Sequence, residues 1–219
     1  SMWTEVETFK NLCAEEKIWD EEFSNYSAAV NCADILQAEY YLEIGDIGKA
    51  MYYSLEGIPA DGKQYNSLLS LCAIFILAKA SLFNGEWDKA RSLLKKLAVE
   101  PEGPQSDRLG NMVDVCKGYV YACMGEWDQI PDWLRAREEE SLRLCQYSSY
   151  AYIIRAKELE GRGDFLEFEL ISKEWETTIR TSQNLLAEIH YHVQKAISAK
   201  VLYGMSAAIS ELNTAFSLA

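Results

Sequence analysis

The sequence contains little histidine and less basic than acidic charge, and each shortage argues against a class of site. The two histidines, His190 and His192, lie two positions apart, which on a helix separates them by about 200° and cannot place both on the face a zinc pair requires. We therefore predict no metal site. Because 21 basic residues stand against 34 acidic ones, the formal charge is −13. We expect no direct contact with nucleic acid, whose binding needs clustered Lys and Arg.

The chain also lacks a long apolar run, a paired-cysteine motif and the alternating pattern of strands. No stretch approaches the ~20 apolar residues of a membrane span and no signal peptide opens the chain, which predicts a cytoplasmic protein without membrane contact. Six cysteines are scattered without a C-x-x-C pair, which favours buried reduced thiols. These are Cys13, Cys32, Cys72, Cys116, Cys123 and Cys145. The absence of period-two patterning predicts an all-α fold.

Five glycines recur at nearly constant spacing: Gly45, Gly85, Gly125, Gly163 and Gly204, at intervals of 40, 40, 38 and 41 residues. An acidic residue follows each of the first four, then a bulky apolar residue, and a small or apolar residue stands three positions further on. Glycine accepts a positive φ and so ends one helix, while the acid caps or flanks the next one. A period in this range predicts stacked helical repeats.

The repeat predicts five pairs of helices, each with a long first helix and a shorter second one. The long helices are expected at Tyr26–Ile44, Tyr65–Asn84, Leu109–Met124, Cys145–Arg162 and Ser182–Tyr203. The short helices are expected at Ile47–Glu56, Trp87–Val99, Asp128–Arg137, Phe165–Thr178 and Ser206–Leu218. A leading helix is expected within residues 1–25. We also predict that Trp87, Trp127 and Phe165, the bulky residues after the acid, lie in the core.

The repeated motif resembles the tetratricopeptide repeat (TPR), because a small residue also stands seven positions before the glycine. That position is filled by Ala38, Ala78, Gly118, Ala156 and, when the fifth copy is aligned on Ala208, Ala196. The spacing is longer than the usual TPR spacing. The resemblance implies a right-handed superhelical solenoid of about five TPR-like helix pairs, as a single domain over residues 1–219 with the repeats in 26–219.

Several segments also resemble, more specifically, the superhelical domain of large LuxR-type (MalT-like) ATP-dependent bacterial transcriptional regulators. They are Ala38–Asp46, Ala78-Lys79-Ala80 with Asn84–Glu86, Cys116–Ala122 and Ile130-Pro131-Asp132-Trp133-Leu134. The resemblance implies a sensor domain between an upstream nucleotide-binding ATPase and a downstream helix-turn-helix, of which this chain is a fragment. The last helix is apolar, which predicts either that the array continues or that its end is buried by self-association into a homo-oligomer.

One segment matches part of the phosphate-binding loop motif. Gly57–Lys63 matches G-x-x-x-x-G-K, but Gln64 stands where the loop needs Ser or Thr for Mg²⁺, and a helix is expected before it in place of a strand. We interpret it as a spacer between repeats and predict no cofactor. No nucleophile–base pair or metal cluster is visible, so an enzyme has the least support and no catalytic residue is predicted.

In a TPR-like stack the first helices line the concave face, which predicts where a ligand binds. The residues six before the repeat glycines then point inward, and those thirteen before add Cys32, Cys72, Met112 and Tyr150. The candidate ligand-binding residues are Glu39, Lys79, Tyr119, Tyr150 and Lys157. The open alternative is that these positions are merely solvated or lie between helices.

Two functions therefore compete. The first is a non-catalytic sensor that binds a small-molecule inducer or a regulatory protein and signals to the other domains of a larger regulator. The second is a free-standing TPR-like scaffold that recognises a protein segment, where the acidic surface favours basic partners.

Overall fold

The computed structural model describes residues 25–58, 68–97, 106–135, 148–182 and 184–219, together with Thr8 and Asn11. Across these ranges it contains ten α-helices, one short 3-10 helix and no strand, which confirms the all-α class. The chain divides into two compact units, Ser1–Cys116 and Lys117–Ala219. The leading helix expected within 1–25, most of the spacer after Ile58, Cys13 and Cys145 lie outside the described residues. The solenoid and its single-domain arrangement remain predictions.

The helices follow the predicted alternation of long and short elements except in the fourth pair, where the second helix, with 18 residues, is longer than the 15 described residues of the first. In chain order they are α1 Asn25–Glu43, α2 Ile47–Glu56, α3 Leu68–Phe83, α4 Trp87–Leu94, α5 Ser106–Met124, the 3-10 helix Trp127–Gln129, α6 Asp132–Arg135, α7 Ser148–Arg162, α8 Phe165–Ser182, α9 Leu185–Leu202 and α10 Met205–Leu218. Within the first unit α1 packs against α2 and α3, and α3 also packs against α2 and α4. Within the second, α9 packs against α7, α8 and α10.

The repeat glycines end the first helices through a positive φ, between 72° and 93° at all five positions. At the first, the Gly45 N–H donates to the Leu42 carbonyl (3.1 Å) and the Asp46 N–H donates to the Tyr41 carbonyl (2.9 Å). This pair of bonds is the Schellman motif, which satisfies carbonyls that the helix end leaves without partners. The same pair recurs at Gly85, Gly125 and Gly163. The predicted role of these glycines as helix stops is confirmed.

The fifth turn is shifted by one residue, which explains its imperfect spacing. Here the Gly204 N–H itself bonds to the carbonyl five residues earlier, that of Ala199 (3.0 Å). Gly204 therefore takes the place that the acid has in the other turns. Its carbonyl accepts from the Ala208 N–H (3.3 Å), as the Asp46 carbonyl accepts from Ala50 (3.0 Å). The alignment of the fifth copy on Ala208 agrees with this bonding.

The acid after the glycine caps the next helix only when it is aspartate. The Asp46 carboxylate accepts from the Lys49 N–H (3.2 Å) and the Asp164 carboxylate accepts from the Glu167 N–H (3.2 Å). Glu86 and Glu126 make no side-chain cap bond. A glutamate is one methylene longer, and Glu86 instead reaches the Lys89 ammonium (2.8 Å). The two glutamates thus flank their helices, near the positive end of the helix dipole.

The small and apolar positions of the motif form the contact between paired helices. The four residues seven before the glycine, and Ala196 in the copy aligned on Ala208, are all buried: Ala38, Ala78, Gly118, Ala156 and Ala196. Their counterparts after the glycine are buried as well: Ala50, Ala90, Ile130, Phe168 and Ala208. A Cβ on Gly118 would lie 2.8 Å from Leu134 Cδ1 and 3.3 Å from Ile154 Cδ1. Close approach of the helices therefore depends on small side chains at this position.

The predicted helix Asp128–Arg137 is wrong as one element. The chain instead forms the 3-10 turn Trp127–Gln129, an extended residue at Ile130 (φ −71°, ψ 129°) and the short α6. Pro131 is the cause, because a proline disfavours the α conformation of the residue before it. The predicted start of the last long helix at Ser182 is also wrong, because Ser182 is the last residue of α8 and α9 begins at Leu185. Asn184 caps α9 by accepting from the Ala187 N–H (3.1 Å).

The prediction of three core aromatics is corrected at Trp87. This side chain is 46% exposed, while Trp127 and Phe165 are half-buried. Trp127 packs against Gly161, where an added Cβ would come within 2.8 Å of the indole Cε2. The residue that opens a second helix therefore lies at the edge of the core, and among the described tryptophans the fully buried one is Trp175.

We predict opposite effects for two Gly→Ala substitutions. Gly85→Ala should lower the free energy of unfolding by about 1–2 kcal/mol, because φ is +78° and the added Cβ touches nothing, so only backbone strain acts. Gly48→Ala, within α2, should raise it by up to about 1 kcal/mol through lost freedom of the unfolded chain. Urea unfolding measures both. Equal signs for the two variants would contradict this account of the turn.

Candidate functional site

In the first unit, two of the predicted ligand-binding residues form an ion pair with each other. Lys79 Nζ lies 2.8 Å from Glu39 Oε1 and 5.0 Å from the centre of the Phe75 ring. The Lys79 side chain is only 4% exposed, whereas that of Glu39 is 33% exposed. The two residues are 40 positions apart and hold the same place in consecutive repeats. Equivalent positions on α1 and α3 are therefore in contact.

A second carboxylate, that of Glu43, lies within electrostatic range of this ion pair. Glu43 follows Glu39 by one turn of α1, and packing around its carboxyl raises its pKa although the residue keeps an exposed surface. Lys79 lowers the pKa of Glu43 and Glu39 raises it. One buried ammonium thus influences two carboxylates and is paired with that of Glu39. Glu43 is not among the residues predicted from the sequence, although its i, i+4 spacing from Glu39 is a usable signal.

In the second unit, the two predicted tyrosines contact each other. The rings of Tyr119 on α5 and Tyr150 on α7 have their centres 5.2 Å apart at 87°, an edge-to-face arrangement. Tyr119 is buried and Tyr150 is half-buried. Of the other residues predicted to face the groove, Met112 is buried, and Cys32 and Cys72 are half-buried. These positions thus include interhelical contacts, as the open alternative supposed.

The fifth predicted residue, Lys157, interacts electrostatically with Glu160, which belongs to a polar pair between α7 and α9. Lys157 is half-buried and lowers the pKa of Glu160, but burial dominates and raises the pKa of Glu160 to about 7. Gln194 on α9 is buried, and its amide is assigned with the nitrogen 3.1 Å from both Glu160 oxygens, the orientation that satisfies its hydrogen bonds. Glu160 and Gln194 were also missed, because only the packing of α9 on α7 brings them together.

Four of the five predicted ligand-binding residues form two pairs, and the fifth, a lysine, lies apart from them. Glu39 meets Lys79 in the first unit, and Tyr119 meets Tyr150 in the second, where Lys157 lies with Glu160. That all five line one groove remains a prediction. Among the described residues no group of three His, Cys, Asp or Glu side chains is arranged to hold a metal ion. His192 instead pairs its Nδ1 with Glu211 Oε2 at 2.8 Å.

No helix of the described segments combines the length and apolarity needed to cross a membrane. Comparison of the chain with models of known protein families, with curated proteins and with solved structures gives no match. The resemblance to LuxR-type regulators therefore remains a prediction from the motifs.

We predict that Glu160→Gln stabilises the protein at alkaline pH. Because the folded-state pKa of Glu160 is raised to about 7, the folded protein keeps a proton that the unfolded chain loses above pH 4.5, and stability falls as the pH rises through this window. Allowing for partial exposure, the gain at pH 8 should be about 1–2 kcal/mol and should vanish below pH 4.5. Urea unfolding across this pH range measures it.

Glu176→Gln serves as the matched control for this prediction. Hydrogen bonding and charge from Arg180 lower the pKa of Glu176, so its contribution is present above the unfolded pKa and lost as the pH falls. This variant should lower stability slightly at pH 8. A gain for Glu160→Gln that did not change with pH would mean that packing, and not ionisation, is responsible.

Proposed function

We propose that this chain is the ligand- or partner-sensing helical-repeat domain of a large LuxR-type, MalT-like transcriptional regulator. In this function it binds its signal without chemical turnover. It passes the signal to an ATPase module and a helix-turn-helix domain elsewhere in the same protein.

The observation that carries the proposal is the contact between Lys79 and Glu39, equivalent positions of consecutive first helices. Side-by-side first helices give a surface on which each repeat contributes the same positions, which is how repeat proteins build extended binding faces. The family-like motifs support the choice of regulator over other repeat proteins.

The chemistry at these positions favours a polar ligand. Glu39 and Glu43 offer carboxylates near the buried Lys79 ammonium, while Lys157 with Glu160 and Gln194 offers both donors and acceptors. Such groups select a small polar metabolite or a peptide by hydrogen bonds and confer specificity, because a partner that leaves them unpaired pays for their desolvation.

A thermal-shift screen of the 219-residue chain against sugars, free amino acids and aromatic carboxylic acids tests the proposal. A specific ligand at 100 times its Kd should stabilise the fold by roughly 2.7 kcal/mol. Lys157→Ala should abolish the shift. Lys173→Ala, an exposed lysine on α8 outside the predicted surface, should leave it unchanged. Equal shifts for both variants would place the ligand elsewhere, and no shift with any compound would contradict small-molecule sensing.

The alternative function, a scaffold for a protein partner, is favoured by the charge of −13, which attracts basic segments. Affinity capture separates it from the sensor. One stoichiometric basic protein, with no metabolite shift, would support the scaffold. The gene of the whole protein provides an independent test: the sensor proposal requires a Walker A loop before this region and a helix-turn-helix after it, and a gene without either would contradict it.

A further inference from the structure

Two oppositely charged side chains on α7, Lys157 and Glu160, are neighbours that do not pair. Their i, i+3 spacing places the Cβ atoms about 5–6 Å apart on the helix surface. Lys157 acts on the pKa of Glu160 through its charge and not through a hydrogen bond. Within the part of the chain that the structure describes, neither side chain forms an ion pair. Both are half-buried, so an ammonium and a carboxylate lie side by side and within reach of solvent.

A second pair on the same helix shows that the spacing itself allows contact. Arg155 and Glu158 are also i, i+3 neighbours on α7, and Nη1 lies 2.5 Å from Oε2. Glu160 instead directs its carboxyl toward α9, where the Gln194 amide nitrogen lies 3.1 Å from both oxygens. Because this buried amide holds the carboxyl, the Lys157 ammonium is left without an anion.

The two unpaired charges define the groups that a ligand needs. Burial raises the pKa of Glu160 to about 7, which shows that the carboxylate lacks a compensating cation. An ammonium placed against Glu160 supplies that cation, and a carboxylate placed against Lys157 supplies the missing anion. Both bonds are charge-assisted and therefore stronger than neutral ones. Because the two side chains are one turn apart, the ligand must carry its two charges close together, as an α-amino acid does.

We propose that Lys157 and Glu160 bind the α-carboxylate and the α-ammonium of a free amino acid, with Gln194 as the residue that positions the Glu160 carboxyl. This inference rests on the proposed sensing function and names the class of its ligand. A carboxylic acid without the amine leaves Glu160 unpaired and adds a second negative group beside it. An amine without the carboxylate leaves Lys157 unpaired in the same way. Neither should bind as well as the amino acid.

Binding of the ammonium is coupled to release of a proton. In the free protein Glu160 carries a proton part of the time near neutral pH, and that proton passes to the solvent when the ammonium binds. Lys157 is the charged group that shifts the pKa of Glu160, while α9 faces it with the uncharged Gln194, and no charged group of the described parts of α6 or α8 contributes. Affinity should rise roughly tenfold between about pH 6 and about pH 8, as the ionised fraction grows around a pKa of about 7.

Isothermal titration calorimetry of the 219-residue chain with the standard L-amino acids tests the proposal. The best binder is then compared with its des-amino acid and with its decarboxylated amine, each of which should bind roughly tenfold or more weakly, because one charged hydrogen-bonding group is lost. Titration at neutral pH in two buffers of different ionisation enthalpy should show release of a proton. These measurements use the unaltered chain, so they do not depend on whether a variant folds.

Three variants assign the effect to the named side chains. Glu160→Gln should weaken binding at alkaline pH and remove its pH dependence, and Lys157→Ala should remove the preference for the amino acid over its amine. Glu176→Gln, the same substitution on α8 outside the site, should bind like the unaltered chain. Circular dichroism checks that the helicity of each variant is unchanged.

Three results would overturn the inference: binding without proton release, a des-amino acid that binds as tightly as the amino acid, or equal losses for Glu160→Gln and Glu176→Gln. Failure of this inference is distinguishable from failure of the proposed function. If no amino acid binds but another metabolite does, and Lys157→Ala abolishes that binding, the sensing function stands and the ligand class is wrong. If no compound of any class binds, both small-molecule sensing and the ligand class are contradicted.

Discussion

Trp175→Ala is expected to lower the free energy of unfolding by about 3–5 kcal/mol, as large-to-small substitutions of buried aromatics do. Trp175 is fully buried at the centre of the second unit. Its indole stacks on Tyr152 of α7, with the ring centres 5.8 Å apart, and meets the edge of Tyr191 of α9 at 5.4 Å. One side chain on α8 thus joins three helices, and its removal leaves a cavity that none of them can close without breaking another contact.

Trp87→Ala is the matched control, since it deletes the same side chain at a position that is 46% exposed. We expect a loss below about 1 kcal/mol there, in the range of ordinary surface substitutions. Urea unfolding followed by circular dichroism compares the two without relying on tryptophan fluorescence. Similar losses for both variants would contradict the assignment of Trp175, and not Trp87, to the core.

The second large effect is expected from Arg155→Ala, at about 3–5 kcal/mol, the cost of removing one partner from a buried ion pair. Arg155 is buried on α7, where Nη1 lies 2.5 Å from Glu158 Oε2 and Nη2 lies 2.6 Å from Glu167 Oε1 on α8. Without the guanidinium, the buried Glu158 keeps only the exposed Arg162, at 3.2 Å. The loss comes from leaving that charge poorly compensated.

Two further variants test this reason for the loss. Glu158→Gln in the Arg155→Ala background should recover part of the stability, because it removes the charge left behind. Arg180→Ala breaks an ion pair of the same type, 2.5 Å from Glu176 on α8, but in solvent, and should cost less than about 1 kcal/mol. No recovery with Glu158→Gln, or an equal cost for Arg180→Ala, would mean that burial of the charge is not the cause.

Much of the fold was predictable because it depends on the backbone conformations that single residues prefer. A residue that must adopt a positive φ is best satisfied by glycine whatever surrounds it, so the glycine spacing located all five turns. The limits of α2, Ile47–Glu56, were predicted to the residue, since a capping aspartate starts it and Gly57 follows it. Where local signals competed, the prediction failed: the motif suggested a helix through Ile130, and Pro131 prevented it.

The candidate site was predictable only in part. The position six residues before each repeat glycine identified Glu39 and Lys79, which do contact each other. It did not predict that the Lys79 side chain is nearly buried. Glu160 and Gln194 lie 34 residues apart on α7 and α9, and no local pattern links them. Their proximity depends on how long helices lie against one another, which local spacing does not encode.

By itself, then, the sequence determined the helical class, the phase of the repeat and the small residues at which paired helices meet, because each follows from the conformational limits or size of single residues. The tertiary structure alone decided that Trp175 and not Trp87 is the core indole, and that the Arg155–Glu158 pair is buried. Burial is a property of neighbours that come from distant parts of the chain, so two tryptophans of the same chemistry end in opposite environments.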